Sequence, residues 1–179
     1  MTVDEFLAAY QAGKRNFQGL VLESANLFDC DLRRCDLSEA QLQMAYMPYV
    51  RLSQARLRRT QLTGATIGNG LLQGADLTAA DLQDADLSFI NLQGAILSQA
   101  NLQRANLYGA NLTGADLTGA DLRYANLSRS IVTNARLANT DLRGAKLFRA
   151  QKIDWSLAIC DRTTIDPSGY PMESMESLE

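Results

Sequence analysis

The triplet Ala-(Asn/Asp)-Leu recurs every five residues along most of this chain, most cleanly in ANLYGANLTGADLTGADLRYANL, from Ala105 to Leu127. From Leu22 to Leu147, 23 of the 26 positions in the leucine phase are Leu; the exceptions, Met47, Ile67 and Val132, are also apolar. Two residues earlier, from Leu20 to Ala150, 18 of 27 positions are Ala, and most of the rest are small, such as Cys30, Cys35, Gly70 and Ser130. No insertion breaks this phase, and a repeat so strict decides the fold ahead of any local propensity.

Neither regular element tolerates such a period. Five residues advance about 140° around an α-helix, so the leucines would spiral over its whole surface. In a flat strand an odd period throws successive leucines to opposite faces. A mixed solution works: Ala and Leu, two apart, point the same way in a short extended triplet, and the next two residues turn a corner. Eight of the twelve glycines (Gly19, Gly64, Gly74, Gly94, Gly109, Gly114, Gly119 and Gly144) occupy the second corner residue, where a turn can require a positive φ. Repeated corners with one side always inward make a coil, and adjacent coils pair as parallel strands roughly 4.8 Å apart. Leu stacks on Leu, and Ala beside it keeps the interior from being overfilled.

The residues carrying this pattern, A-(D/N)-L-x-x from about Arg15 to Ala150, resemble the pentapeptide repeat family, including its cyanobacterial members. The resemblance implies an all-β solenoid, a right-handed quadrilateral parallel β-helix with four pentapeptides per square turn. On that basis the chain makes about seven coils, a rod roughly 30–35 Å long. Residues 1–14 are expected to form an N-terminal helical cap, with Thr2 and Glu5 as a capping box and Gly13 as the stop. Residues 15–150 form the β-helix. The phase fails at Lys152, so 151–170 are expected to form an irregular C-terminal cap, with Ile153 or Trp155 filling the space, and 171–179 a disordered tail.

Little in the composition points to chemistry. There is no histidine, which removes the commonest general base and metal ligand. No cofactor, metal or catalytic residue is expected, and the chain reads as non-enzymatic. Cys30, Cys35 and Cys160 fall in the alanine phase and read as buried fillers without a CxxC pair. Asp or Asn fills 14 of the 26 positions before the central residue; six are Asn, useless as acid or base, so the column reads as side chains bonding nearby turn backbone. The stretch IGNGLL, Ile67 to Leu72, departs from the pattern and is expected to give a softer coil or an outward apolar spot. A net charge of −3, no apolar run near the roughly 18–20 residues of a membrane span, and no leader-like start predict a cytoplasmic protein without membrane partner.

Two surface features remain. Arg33, Arg34, Arg51, Arg56, Arg58 and Arg59 form a basic patch near the N-terminal end. Twenty-residue coils would pair Arg51 with Asp31, Arg56 with Asp36 and Arg59 with Glu39, leaving Arg33, Arg34 and Arg58 without an evident partner. Sorting outward residues by side of the square places Phe28, Tyr46, Tyr49, Phe89, Tyr108 and Phe148 on one side; only Tyr124 lies elsewhere. An exposed aromatic column suits a protein partner or a homodimer, though stacking that merely steadies the rod would place the same residues there. The reading is a protein-binding or scaffold rod. The alternatives are a DNA-mimicking modulator of DNA gyrase, an activity that the resemblance brings with it, and anion or nucleic-acid binding through the arginines. Nucleic acid is the unlikelier partner at this charge, and no side carries enough acid to mimic phosphate.

Overall fold

The computed structural model describes residues 1–172; the rest of the expected tail lies outside the described residues. Twenty-four parallel bridges, from Asn16↔Asp36 to Ile131↔Gln151, each join a residue to the one twenty positions on. The period of five thus closes after four pentapeptides, and every coil lies in register on the last.

Each pentapeptide runs from the small residue (first, as Ala105) through Asn106 and Leu107 to the corner pair Tyr108 and Gly109. Its five N–H groups have separate destinations, as buried backbone requires. The first closes the preceding turn (Ala110 N to Leu107 O, 3.0 Å), and the second donates to the coil before (Asn106 N to Ala85 O, 2.9 Å). The third and fifth donate to the coil after (Leu107 N to Asn126 O, 2.8 Å; Gly109 N to Ser128 O, 3.0 Å). The fourth goes to the side-chain oxygen of the second residue, as in Tyr108 N to Asn106 Oδ1 at 3.3 Å. All 14 Asp and Asn residues of the column accept this bond, so the column serves the corner backbone. Pro48 occupies a fourth position, the one phase whose N–H no backbone carbonyl accepts.

All 27 fifth positions from Gly19 to Arg149 have positive φ, and 19 of them are not glycine. Left-handed backbone costs an L-residue about 1–2 kcal/mol. The coil imposes it nonetheless, because the corner must turn for the next leucine to face inward, and the interior from Phe17 to Ala150 is one continuous buried cluster.

Polar residues enter that interior in the alanine phase. Thr60 Oγ1 donates to Leu37 O at 2.9 Å and Thr140 Oγ1 to Leu117 O at 2.8 Å. Ser130 Oγ is buried without a partner. Of the three cysteines only Cys35 is buried, its thiol pushed up to about 12 by desolvation. Cys30 and Cys160 are half-buried. The Ile67–Leu72 stretch keeps its ladder, with Leu71 paired to both Arg51 and Asn91, and its outward leucine is exposed. Gly70 sits in a crowded corner: a Cβ there would lie 2.9 Å from Ile67 O, 3.1 Å from Leu72 Cδ1 and 3.2 Å from Ile67 Cγ2.

Helix α1, Val3–Gln11, begins with both bonds of the Thr2–Glu5 capping box. Phe6 is buried edge-on against Phe17, ring centroids 4.6 Å apart. Tyr10 Oη donates to Arg33 O at 3.0 Å, meeting a carbonyl phase that later coils bond from the coil below. At the other end the register loosens. Asp141 pairs with Ile159 and Lys146 with Ile165, then Pro171 turns back against Ile165. Ile153 and Trp155 are both half-buried against the core, and Thr164 is fully buried.

Candidate functional site

The aromatic side follows directly from the repeat. Second-, fourth- and fifth-position side chains point away from the core, and those about twenty residues apart meet on one side. Phe28, Tyr46, Tyr49, Phe89 and Phe148 are all exposed; Tyr108 is half-buried. The structure divides the column into separate groups. Phe28 stacks on Tyr46 (6.3 Å, 11° between planes) and meets Tyr49 edge-on (5.8 Å). Phe89 meets Tyr108 edge-on at 5.5 Å, and Arg129 lies 5.8 Å over the Tyr108 ring. Phe148 stands apart with Arg149 at 5.0 Å. Buried Gly68 and the small Ser128 make the gaps.

The ion pairs differ from simple twenty-residue stacking. Arg56 does reach Asp36, at 3.7 Å. Arg51 turns instead to Asp29 at 3.0 Å, because Asp31 is held by Arg33 at 2.6 Å. Arg33 therefore has a partner, and so has Arg58, which reaches Asp76 at 2.5 Å. Among the described residues Glu39 and Arg59 form no ion pair. Two geometric rules explain the differences. An arginine in the fourth position folds back onto the carboxylate two residues earlier, as in Arg33–Asp31, Arg123–Asp121 and Arg143–Asp141. Alternatively, it reaches up to the second position of the next coil, eighteen residues on, the path Thr63 and Gln103 also take to Asp81 and Asp121. The side-chain bond from Arg33 holds the Asp31 carboxyl below the usual carboxylate range.

Like Arg59, Arg34 has no acid partner among the described residues: its Nε donates to Gln54 Oε1 at 3.0 Å. It lines a cavity of about 560 Å³ with Tyr10, Arg15, Arg33, Ser53 and Gln54. The sequence pattern pointed to Arg33 and Arg34 but missed Tyr10, Arg15, Ser53 and Gln54. The twenty-residue spacing of Arg34 and Gln54 was the signal for part of it; the position of α1 was not legible. Among the described residues no group of His, Cys, Asp and Glu is placed to hold a metal ion, and no helix is long and apolar enough to cross a membrane.

A family model described as pentapeptide repeats matches in eight copies, over residues 16–54, 49–78, 60–99, 80–119 and 120–151. The chain belongs to the pentapeptide repeat family. Solved structures similar to this pentapeptide repeat protein include HetL, involved in heterocyst differentiation regulation in the cyanobacterium Nostoc sp. strain PCC 7120. It is 29% identical over 96% of this chain and 100% of that one, with a TM-score of 0.43. One form of QnrB1, a plasmid-mediated fluoroquinolone resistance protein, is 22% identical over 83% and 86%, with a TM-score of 0.59. Rfr23 from the cyanobacterium Cyanothece 51142 is 22% identical over 92% and 99%, with a TM-score of 0.35. A comparison with curated protein sequences finds no match.

Proposed function

We propose that this pentapeptide repeat protein is a non-enzymatic docking rod of about seven right-handed coils, closed by α1 and by the segment after Ala150. It holds a protein partner along the side carrying Phe28, Tyr46, Tyr49, Phe89, Tyr108 and Phe148. The observation that carries the reading is that five of these six rings are exposed on one side of the rod. Aromatic residues dominate interface energies, and their separation into groups suits a partner that inserts between them. A second copy of the chain is the simplest such partner.

The test is size measurement in solution together with affinity capture, for the natural chain and for a Phe89→Ser, Tyr108→Ser double variant. Loss of a dimer or of a captured partner supports the reading. If neither mass nor partners change, the side only steadies the rod. The reading as a gyrase-directed DNA mimic is weaker. Among the described residues, eight aspartates are neutralised by eight arginines, which breaks up the continuous acidic surface that a stand-in for phosphates needs. A gyrase supercoiling assay that shows no effect of micromolar protein would exclude it.

A further inference from the structure

The second feature is independent of the aromatic side and lies where α1 meets the first coils. Among the described residues five arginines of the repeat region, Arg15, Arg34, Arg59, Arg129 and Arg149, find no carboxylate, and of these Arg15 and Arg34 line one cavity. Neutral groups position both. Arg15 Nη1 donates to Tyr10 O at 2.7 Å and Lys14 O at 2.9 Å, and its guanidinium lies 4.0 Å over the Tyr10 ring. Arg34 is oriented through Nε by Gln54 alone, which leaves both its Nη groups undonated among the described residues. Together they line the cavity of about 560 Å³, and a neighbouring one of about 410 Å³ shares Arg15, Arg34 and Gln54 and adds Asn16, Asp36 and Arg56. The two carboxylates nearby are engaged: Asp31 by Arg33 and Asp36 by Arg56.

Two like charges facing one cavity repel unless an anion joins them, and a planar guanidinium fork matches phosphate oxygens. We propose that this cavity binds a small phosphorylated ligand through Arg15 and Arg34, with the Gln54 amide and the second cavity receiving a second phosphoryl group. The site lies on a different side of the square from the aromatic column, so its occupancy is separable from partner docking.

Inorganic pyrophosphate is the probe, titrated calorimetrically into the full chain at low salt and again at physiological salt. Saturable one-to-one binding is expected. Arg34→Gln should weaken it about tenfold or more, the loss of a charged bidentate pair, with unchanged thermal unfolding because the side chain is exposed. Arg129→Gln, distant and on another side, should bind like the natural chain. Absence of binding at low salt overturns the proposal, as does equal weakening by both substitutions. Binding of a short oligonucleotide but not of pyrophosphate also overturns it, since that identifies a polyanion track.

Discussion

The ring of Phe89 lies across the corner at Gly109, one coil further on, so closely that a Cβ built there would sit 2.7 Å from Cδ1 and 2.8 Å from Cε1. The same relationship joins Tyr124 to Gly144 and Met44 to Gly64. In these three pairs the bulky fifth-position side chain leans over the following coil, where glycine leaves room for it. Glycine in this phase therefore has two causes, the positive φ and the neighbour above it, and they can be separated by mutation.

Gly114 has positive φ and open space around it. Gly114→Ala is expected to cost about 1 kcal/mol, the left-handed strain alone. Gly109→Ala should cost more, because the Phe89 ring must move as well, and combining it with Phe89→Ala should bring the increment back to the Gly114→Ala value. Urea denaturation of the four variants measures this non-additivity. Additive energies would show that the ring yields freely.

Thr113 N donates to Asn111 Oδ1 at 3.0 Å, a bond that represents the whole Asp/Asn column. Asn111→Ala removes the acceptor and should destabilise by about 0.5–1.5 kcal/mol, while Asn111→Asp keeps it and should change stability little. Equal losses in the two variants would mean that the N–H is satisfied as well by water.

Ser130 and Thr140 are buried in the same phase with opposite bonding. Thr140 donates to Leu117 O; Ser130 Oγ has no partner. Ser130→Ala is therefore expected to raise stability by about 1 kcal/mol, and Thr140→Ala to lower it by about 1–3 kcal/mol through a lost bond and a small void. Thermal unfolding of both settles the comparison. A destabilised Ser130→Ala would reveal a buried water on that hydroxyl.

Acid should loosen the rod. Bonds from Arg33, Thr118 and Arg143 lower the carboxyl values of Asp31, Asp116 and Asp141 below the ordinary 3.8, against the opposing effect of desolvation. A carboxylate whose folded value is depressed contributes stability in full above its unfolded value and loses it as pH falls through the folded one. Unfolding free energy should be flat from neutral pH to about 5 and decline below about 4. Asp141→Asn should make the decline shallower. An unchanged slope would place the acid sensitivity in other groups.

The coil was legible in the sequence because its determinants are local and repeated. Leu in one phase and Ala two residues before it leave a single way to face inward, and Asp or Asn beside them meets the one N–H the ladder leaves over. The same logic sorted Phe28, Tyr46, Tyr49, Phe89, Tyr108 and Phe148 onto one side, since twenty residues return the chain to the same corner. Long flexible side chains escaped it. An arginine spans more than one coil spacing, so whether Arg51 meets Asp31 or Asp29 depends on what Arg33 has already taken. The sequence by itself determined the five-residue repeat and which residues look inward or outward, while the four repeats per coil came with the family resemblance. Only the tertiary structure decided which outward residues meet. It folded Arg33 back onto Asp31, laid Phe89 over Gly109, and brought Tyr10 and Arg15 from the cap beside Arg34. Those meetings depend on side-chain reach and on where a non-repeating segment docks, and a five-residue period encodes neither.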